Sequence, residues 1–278
     1  MPLRVTDEPT TDRSLAALLA QAADEGRPLV GAWSSLGSPV AAEILAGSGL
    51  DVVLVDGEHG PYDLTTVLAQ LQATAAYPVA TLVRAPSGDP VGLKRLLDLG
   101  ATNVLVPMVG SAAEAEATVR AVRYPPAGVR GVGSALARSS RWNRVPGYLD
   151  GADDGITLVV QLETRAAIQD AAAIAGTDGV DAVLVGPADL AASLGHLGQQ
   201  DHPEVVDAVL HALDACRSVG TPAGVNAFDP AMADRYLDAG AAYVVVGADV
   251  TLIARGSEQL AARVASRTTA QPKDGGTR

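Results

Sequence analysis

Asp56, Glu58 and His59 fall within four consecutive positions of VVLVDGEHG (residues 52–60), where an apolar β-branched run comes to its end. A strand leaving a core needs only a turn there, so three ionisable groups in that place point to chemistry. A histidine can serve as a base near neutral pH, and a carboxylate three residues before His59 could orient it. On position alone, a structural histidine fits equally well. Two later apolar runs also close on carboxylates, Glu163 in VVQLETRAA and Asp189 in VGPADL. Carboxylates brought to one point repel each other unless a cation lies between them, and an all-oxygen set favours a hard divalent ion: Mg²⁺, Mn²⁺ or Co²⁺. Taken singly, each has a plainer use: Glu163 as the partner of Arg165, Asp189 as the cap of the helix LAASLG. Arg84, near the end of PVATLVRAP, either neutralises a neighbouring acid or grips a substrate carboxylate with its planar fork. Ser34, Ser35, Gln161, Asn226 and Asp249 are the other polar groups at run ends. Schiff-base chemistry is closed, because Lys94 sits in a helical pattern and Lys273 near the C-terminus, leaving no strand lysine.

The elements that must position these groups follow from periodicity. Short apolar runs start at Leu29, Asp51, Pro78, Thr102, Ile156, Asp181, Pro222 and Ala242, and Ala/Leu-rich helical patterns lie between them. LLDLGATNVLV and YLDAGAAYVVV are near copies of one helix–Gly–strand junction, as a repeated βα unit produces. Eight continuous apolar strands, each followed by a helix, predict a single-domain (β/α)8 TIM barrel, whose catalytic groups come from the C-terminal strand ends. An open doubly wound sheet is the alternative. It requires a Gly-rich fingerprint after its first strand, and WSSLGSP is not one.

The chain's 278 residues are 48% hydrophobic, enough for a large core in one barrel-sized domain or two smaller ones. A net charge of −12 repels phosphate backbones and argues against a nucleic-acid partner. A single cysteine, Cys216, forms no internal disulfide, and neither a signal peptide nor a membrane-length apolar run is present, so a cytoplasmic protein is expected. Residues 1–14 read as an extension, 15–265 as the barrel and 266–278 as a polar, disordered tail. Arg123–Arg144, RYPPAGVRGVGSALARSSRWNR, is a long connection of the kind that forms lids or binding elements, and its arginines could draw anions. Its GVRGVG lacks the Gly-Lys-Ser/Thr ending of a phosphate loop. The loop could equally be salt-bridged to acidic helices or to a partner subunit.

Taken in order, DGEHGPYD, VRAPSGDPVGLKRLLDLGA, LVPMV, RYPPAGVRGVGSALARSSRWNR, VVQLETRAA and VGPADLAASLG resemble the metal-dependent pyruvate aldolases of the 4-hydroxy-2-oxoheptane-1,7-dioate aldolase type, within the citrate-lyase-like superfamily. The likeness spans about Leu15 to Ala265. It implies that Glu163 and Asp189 hold a divalent metal and that His59 with Asp56 forms the base dyad. Arg84 would lie by the reacting carbonyl and enolate, not chiefly on the carboxylate. Gln161 would contact substrate, and the backbone of Gly186, Pro187 and Ala188 would receive the pyruvate carboxylate. The implied reaction is cleavage of 4-hydroxy-2-oxo acids to pyruvate and an aldehyde, and the reverse addition, through an enolate and without an organic cofactor. The implied assembly is a homohexamer, a trimer of dimers that exchange their last helix. Asn226 stands near the mouth where relatives are apolar, and His196 where an aromatic is usual, so both bear on the aldehyde accepted. Malyl-CoA-type lyases, oxaloacetate-like decarboxylases and a non-catalytic scaffold are the rival readings.

Overall fold

The computed structural model describes residues 14–268. Eight strands, β1 (Leu29–Ser34), β2 (Val52–Asp56), β3 (Ala80–Arg84), β4 (Asn103–Val106), β5 (Thr157–Leu162), β6 (Ala182–Val185), β7 (Ala223–Asn226) and β8 (Tyr243–Ala248), close into one barrel in sequence order. Every neighbouring pair is parallel, including β1 with β8, so the closed (β/α)8 architecture holds and the open sheet does not. The ring of helices comprises α1 (Leu15–Asp24), α2 (Pro39–Ala46), α3 (Leu64–Thr74), α4 (Pro90–Asp98), α5 (Ala112–Val122) and the single turn α6 (Tyr148–Gly151). It continues with α7 (Arg165–Gln169), α8 (Ala171–Ala175), α9 (Pro187–Leu194), α10 (Pro203–Ser218), α11 (Pro230–Asp238) and α12 (Asp249–Thr268). The barrel's last helix thus runs to Thr268; the rest of the expected extension and tail lies outside the described residues, apart from Ser14. Among those residues no helix is long and apolar enough to cross a membrane.

Side chains alternate across each strand, which sorts the barrel into two layers. Val83, Val104, Val160, Val183 and Val225 face the helices. Leu54, Leu82, Leu105, Val159, Leu184 and Val245 fill the interior. Continuing that inward register to the strand ends brings Asp56 after Leu54, Arg84 after Leu82, Gln161 after Val159 and Gly186 after Leu184. The polar groups of the mouth are therefore the top layer of the stack that forms the core.

Interior layers fit by pairing large with small. Tyr243 is buried, its hydroxyl donating to the Val183 carbonyl at 2.8 Å, and a Cβ added to Gly224 would stand 2.4 Å from the Tyr243 ring. Gly224→Ala is expected to cost about 1–3 kcal/mol through overpacking. Chemical denaturation checks this, and an unchanged midpoint would refute it.

The N-terminal face is closed by α1. Ser14 caps the helix, the Leu15 amide donates to Asn103 Oδ1 at 2.7 Å, and the Ser14 and Thr157 hydroxyls lie 3.2 Å apart. Leu15, Leu18, Leu19 and Ala22 join the interior cluster like a stopper. The connection from Arg123 to Arg144 lies at this same end, because it follows α5 and precedes β5. Two of its arginines serve the framework: Arg130 Nη2 meets Asp98 Oδ1 at 3.2 Å and Arg138 Nη1 donates to the Leu99 carbonyl at 2.7 Å. Within its own barrel it cannot act as a lid over the catalytic face.

Candidate active site

Arg84 organises one side of the mouth. It is buried, and its Nε and Nη2 both donate to Asp56 Oδ1, at 3.1 and 2.7 Å, while Nη1 lies 3.1 Å from Glu58 Oε2. Its guanidinium stacks over the Trp33 ring at 4.2 Å, and the Trp33 indole N–H donates to Asn226 Oδ1 at 2.9 Å. Asp56 Oδ1 also accepts the backbone amides of Glu58 and His59, both at 3.1 Å, and Oδ2 lies 3.2 Å from the Ser35 hydroxyl. Burial pushes the Asp56 carboxyl up, but Arg84 and these amides outweigh it and hold it below the usual carboxylate range. For Glu58 the balance reverses: burial raises it more than Arg84 and His59 lower it.

His59 differs from its sequence-based expectation in its partner. Asp56 engages the His59 backbone amide, whereas the imidazole Nε2 faces Glu58 Oε2 at 3.8 Å and the ring is largely exposed. The reason is geometric: the tight turn DGEHG wraps its amides round the Asp56 carboxylate. Gly57 and Gly60 make this possible, since a Cβ on Gly57 would fall 2.2 Å from the Arg84 carbonyl oxygen and one on Gly60 2.7 Å from that of Asp56.

Glu163, just past β5, is 2% exposed. Its Oε1 accepts the Met108 amide at 2.7 Å, Met108 itself adopting φ 59°, and its Oε2 accepts from the Gln161 amide. Burial first, then the negative charges of Asp189 and Glu58, overcome these donors and push the Glu163 carboxyl up to about 7. Gln161 Oε1 is buried without a hydrogen-bond partner, and Gly186 leaves the floor open, since a Cβ there would lie 2.8 Å from Glu163 Oε2. Neither plainer use of the two acids holds. Arg165 pairs with Glu204 at 3.2 Å instead of Glu163, and Asp189 sits inside the first turn of α9, whose N-cap is Gly186. An exposed acid and a buried one in each other's field, beside an orphaned amide oxygen, form a donor set that suits a hard divalent cation.

The backbone donors are fewer than the tripeptide Gly186–Ala188 suggests. The Gly186 amide is spent on the Leu162 carbonyl at 3.1 Å, and Pro187 has none. The first-turn amides of α9 at Ala188 and Asp189 have no intrahelical partner and are the donors an anion would meet. Asn226 borders a cavity of about 410 Å³ that it shares with Pro187, Phe228, Met232 and Tyr236. Of the remaining strand-end groups, Ser34 faces outward to Gln70 at 2.8 Å, and Asp249 accepts the Ser35 and Leu36 amides at 2.8 and 3.2 Å. Trp33 is the site residue that reading for ionisable groups passes over. The alternation of β1, Leu29–Gly31–Trp33 inward, is the signal that would have found it.

A β-barrel mouth with paired acids suits many chemistries, and comparison with known proteins narrows them. The sequence profile of the HpcH/HpaI aldolase/citrate lyase family matches residues 29–256. This chain belongs to that family. A 4-hydroxy-2-oxo-heptane-1,7-dioate aldolase of Klebsiella pneumoniae is 52% identical to this HpcH/HpaI aldolase over 244 residues, covering 88% of this chain and 92% of the relative. Among solved structures, an HpcH/HpaI aldolase/citrate lyase family protein from Burkholderia cenocepacia superposes with a TM-score of 0.85 at 39% identity, over 90% of this chain and 99% of that one. An HpcH/HpaI aldolase from Desulfitobacterium hafniense gives 0.79 at 30% identity, covering 93% and 99%. The family assigns this barrel to the carbon–carbon lyases, and Asp56, Arg84, Glu163 and Asp189 lie within the matched span.

Proposed function

We propose that this aldolase cleaves 4-hydroxy-2-oxo acids to pyruvate, or a related 2-oxo acid, and an aldehyde, and catalyses the reverse addition, with a divalent ion at Glu163 and Asp189. The observation that supports the reading is the buried Glu163 carboxylate facing Asp189 and Glu58 in a mouth whose other wall is Arg84, in a chain of the HpcH/HpaI aldolase family. Mg²⁺, Mn²⁺ and Co²⁺ all suit this oxygen set, and when bound the ion supplies Lewis-acid polarisation of the 2-oxo acid.

The chain's own groups do the rest. The Ala188 and Asp189 amides receive the substrate carboxylate at the N-terminus of α9, and Gln161 borders the same floor. His59, exposed and next to Glu58, takes the proton of the 4-hydroxyl as the C3–C4 bond breaks and an aldehyde leaves. Arg84, fixed by Asp56, Glu58 and the Trp33 ring, presents positive charge to the oxygen that becomes negative in the enolate. The proton held by His59 then passes through water to C3 and pyruvate leaves, so the same imidazole serves pyruvate methyl exchange. Asp56 contributes by holding Arg84 and the DGEHG turn. Asn226 and the cavity beside it form the aldehyde side, where an amide favours acceptors bearing polar groups. The enzyme acts on small molecules in the cytoplasm as a homohexamer. Exposed Leu252, Ile253 and Leu260 on α12 support self-association through the last helix.

Hydrogen–deuterium exchange at the pyruvate methyl group, followed by NMR, tests enolate formation without knowledge of the aldehyde. Chelator-stripped protein should be silent, and Mg²⁺ should restore exchange in the wild type but not in His59→Ala. A folded wild type that exchanges nothing with Mg²⁺, Mn²⁺ or Co²⁺ would overturn the reading.

A further inference from the structure

Outside the barrel mouth, the segment joining α9 to α10 brings two imidazoles and a carboxylate together. One ligand atom from each of His196, His202 and Glu204 lies within 4.8 Å of the others. We propose that these residues form a second cation site, of the zinc class, distinct from the all-oxygen pair Glu163 and Asp189. A His–His–carboxylate set takes borderline ions such as Zn²⁺ and leaves one position open to water, whereas carboxylates alone select harder ions.

The local fold sets two of the donors in place. His196 closes α9: its amide donates to the Ala191 carbonyl at 2.7 Å, directly after Gly195 in the left-handed region at φ 91°. His202 is the N-cap of α10, its Nδ1 accepting the Glu204 amide at 3.3 Å. The carboxylate is oriented from outside. Glu204 Oε1 is 3.2 Å from Arg165 Nη2, while Oε2 is 2.9 Å from His196 Nε2. A cation would take the place of the proton in that last hydrogen bond. The rings stack with centroids 3.5 Å apart and planes 17° from parallel, so their lone pairs run side by side and one ring must turn for both to reach an ion. His202, partly exposed and held beyond the stack by the long cap bond, is the ring that turns. An ion there would tie the end of α9 to the start of α10, and the other end of α9 carries Asp189.

The test uses full-length, chelator-stripped protein and Zn²⁺ alone, titrated against a chromophoric chelator. Glu163→Gln serves as the background, so that the catalytic acids do not contribute. This variant is expected to bind zinc stoichiometrically. Adding His196→Phe, which keeps an aromatic ring in the stack, should weaken that binding by more than about 10-fold. Adding His202→Asn, which keeps a side chain able to cap α10, should do the same. Co²⁺ in the Glu163→Gln background should show the visible absorption of a low-coordinate nitrogen-containing site, and His196→Phe should abolish it. Equal zinc binding with and without His196→Phe, or no zinc binding in the Glu163→Gln background, would overturn the proposal; unchanged circular dichroism shows that either result comes from folded protein.

Discussion

Glu163→Gln is expected to lower metal-dependent pyruvate exchange by about 10³-fold or more and, at the same time, to stabilise the metal-free protein. On the proposed reading the two effects share one cause, since a buried carboxylate that binds a cation is a liability without it. The folded-state value of about 7 lies above the ordinary 4.5 of a glutamic acid. Between these values the native state holds a proton that the unfolded chain has released. The favourable contribution is therefore complete below 4.5 and is lost as pH rises through about 7, amounting to about 3 kcal/mol in all. Chemical denaturation with chelator present should show the wild type weakening relative to Glu163→Gln across this window. Added Mg²⁺ should stabilise only the wild type, most strongly above pH 7, where the carboxylate is already ionised. A stability difference that does not change with pH would refute the account.

Arg84→Met carries the second large effect. The side chain is 7% exposed and stands between Asp56 and Glu58, whose side chains are 5% and 20% exposed. Removing its charge strands two carboxylates and should cost about 3–5 kcal/mol of stability. In the proposed mechanism Arg84 faces the developing enolate oxygen, so loss of its charge should lower the rate by about 10²–10³-fold. Arg84→Lys separates the two consequences. A lysine keeps the charge but has no planar fork to reach Asp56 Oδ1 and Glu58 Oε2 together or to lie flat on Trp33. It should retain most of the stability while losing most of the rate. Melting curves beside exchange rates decide this, and a lysine variant with wild-type rate would show that charge alone suffices.

Much of this arrangement was legible in the chain, because a barrel converts period into position. Eight apolar runs separated by helical patterns place every run's end at one face, which groups Asp56, Arg84, Glu163 and Asp189 from the sequence alone. What escaped depends on contacts remote in sequence or on backbone direction. Trp33 enters the site through Asn226, 193 positions away, and through a stack on Arg84. The partner of the His59 ring is not legible, because spacing places Asp56 near His59 without saying whether ring or amide receives it. The arginine-rich connection read as a possible lid, although its place after a helix and before a strand already puts it at the far end of the barrel.

The stopper helix α1 also constrains how the polypeptide is made. Its bonding partners Asn103 and Thr157 lie 88 and 143 positions later than Leu15 and Ser14. At translation speeds of about 5–20 residues per second, roughly 7–30 s separate the emergence of α1 from completion of its dock. For that interval Leu15, Leu18 and Leu19 form an apolar stripe with nowhere to go. The first helix among the described residues is thus among the last to be buried, and a nascent chain stalled before β5 exposes a surface that holdase chaperones would engage.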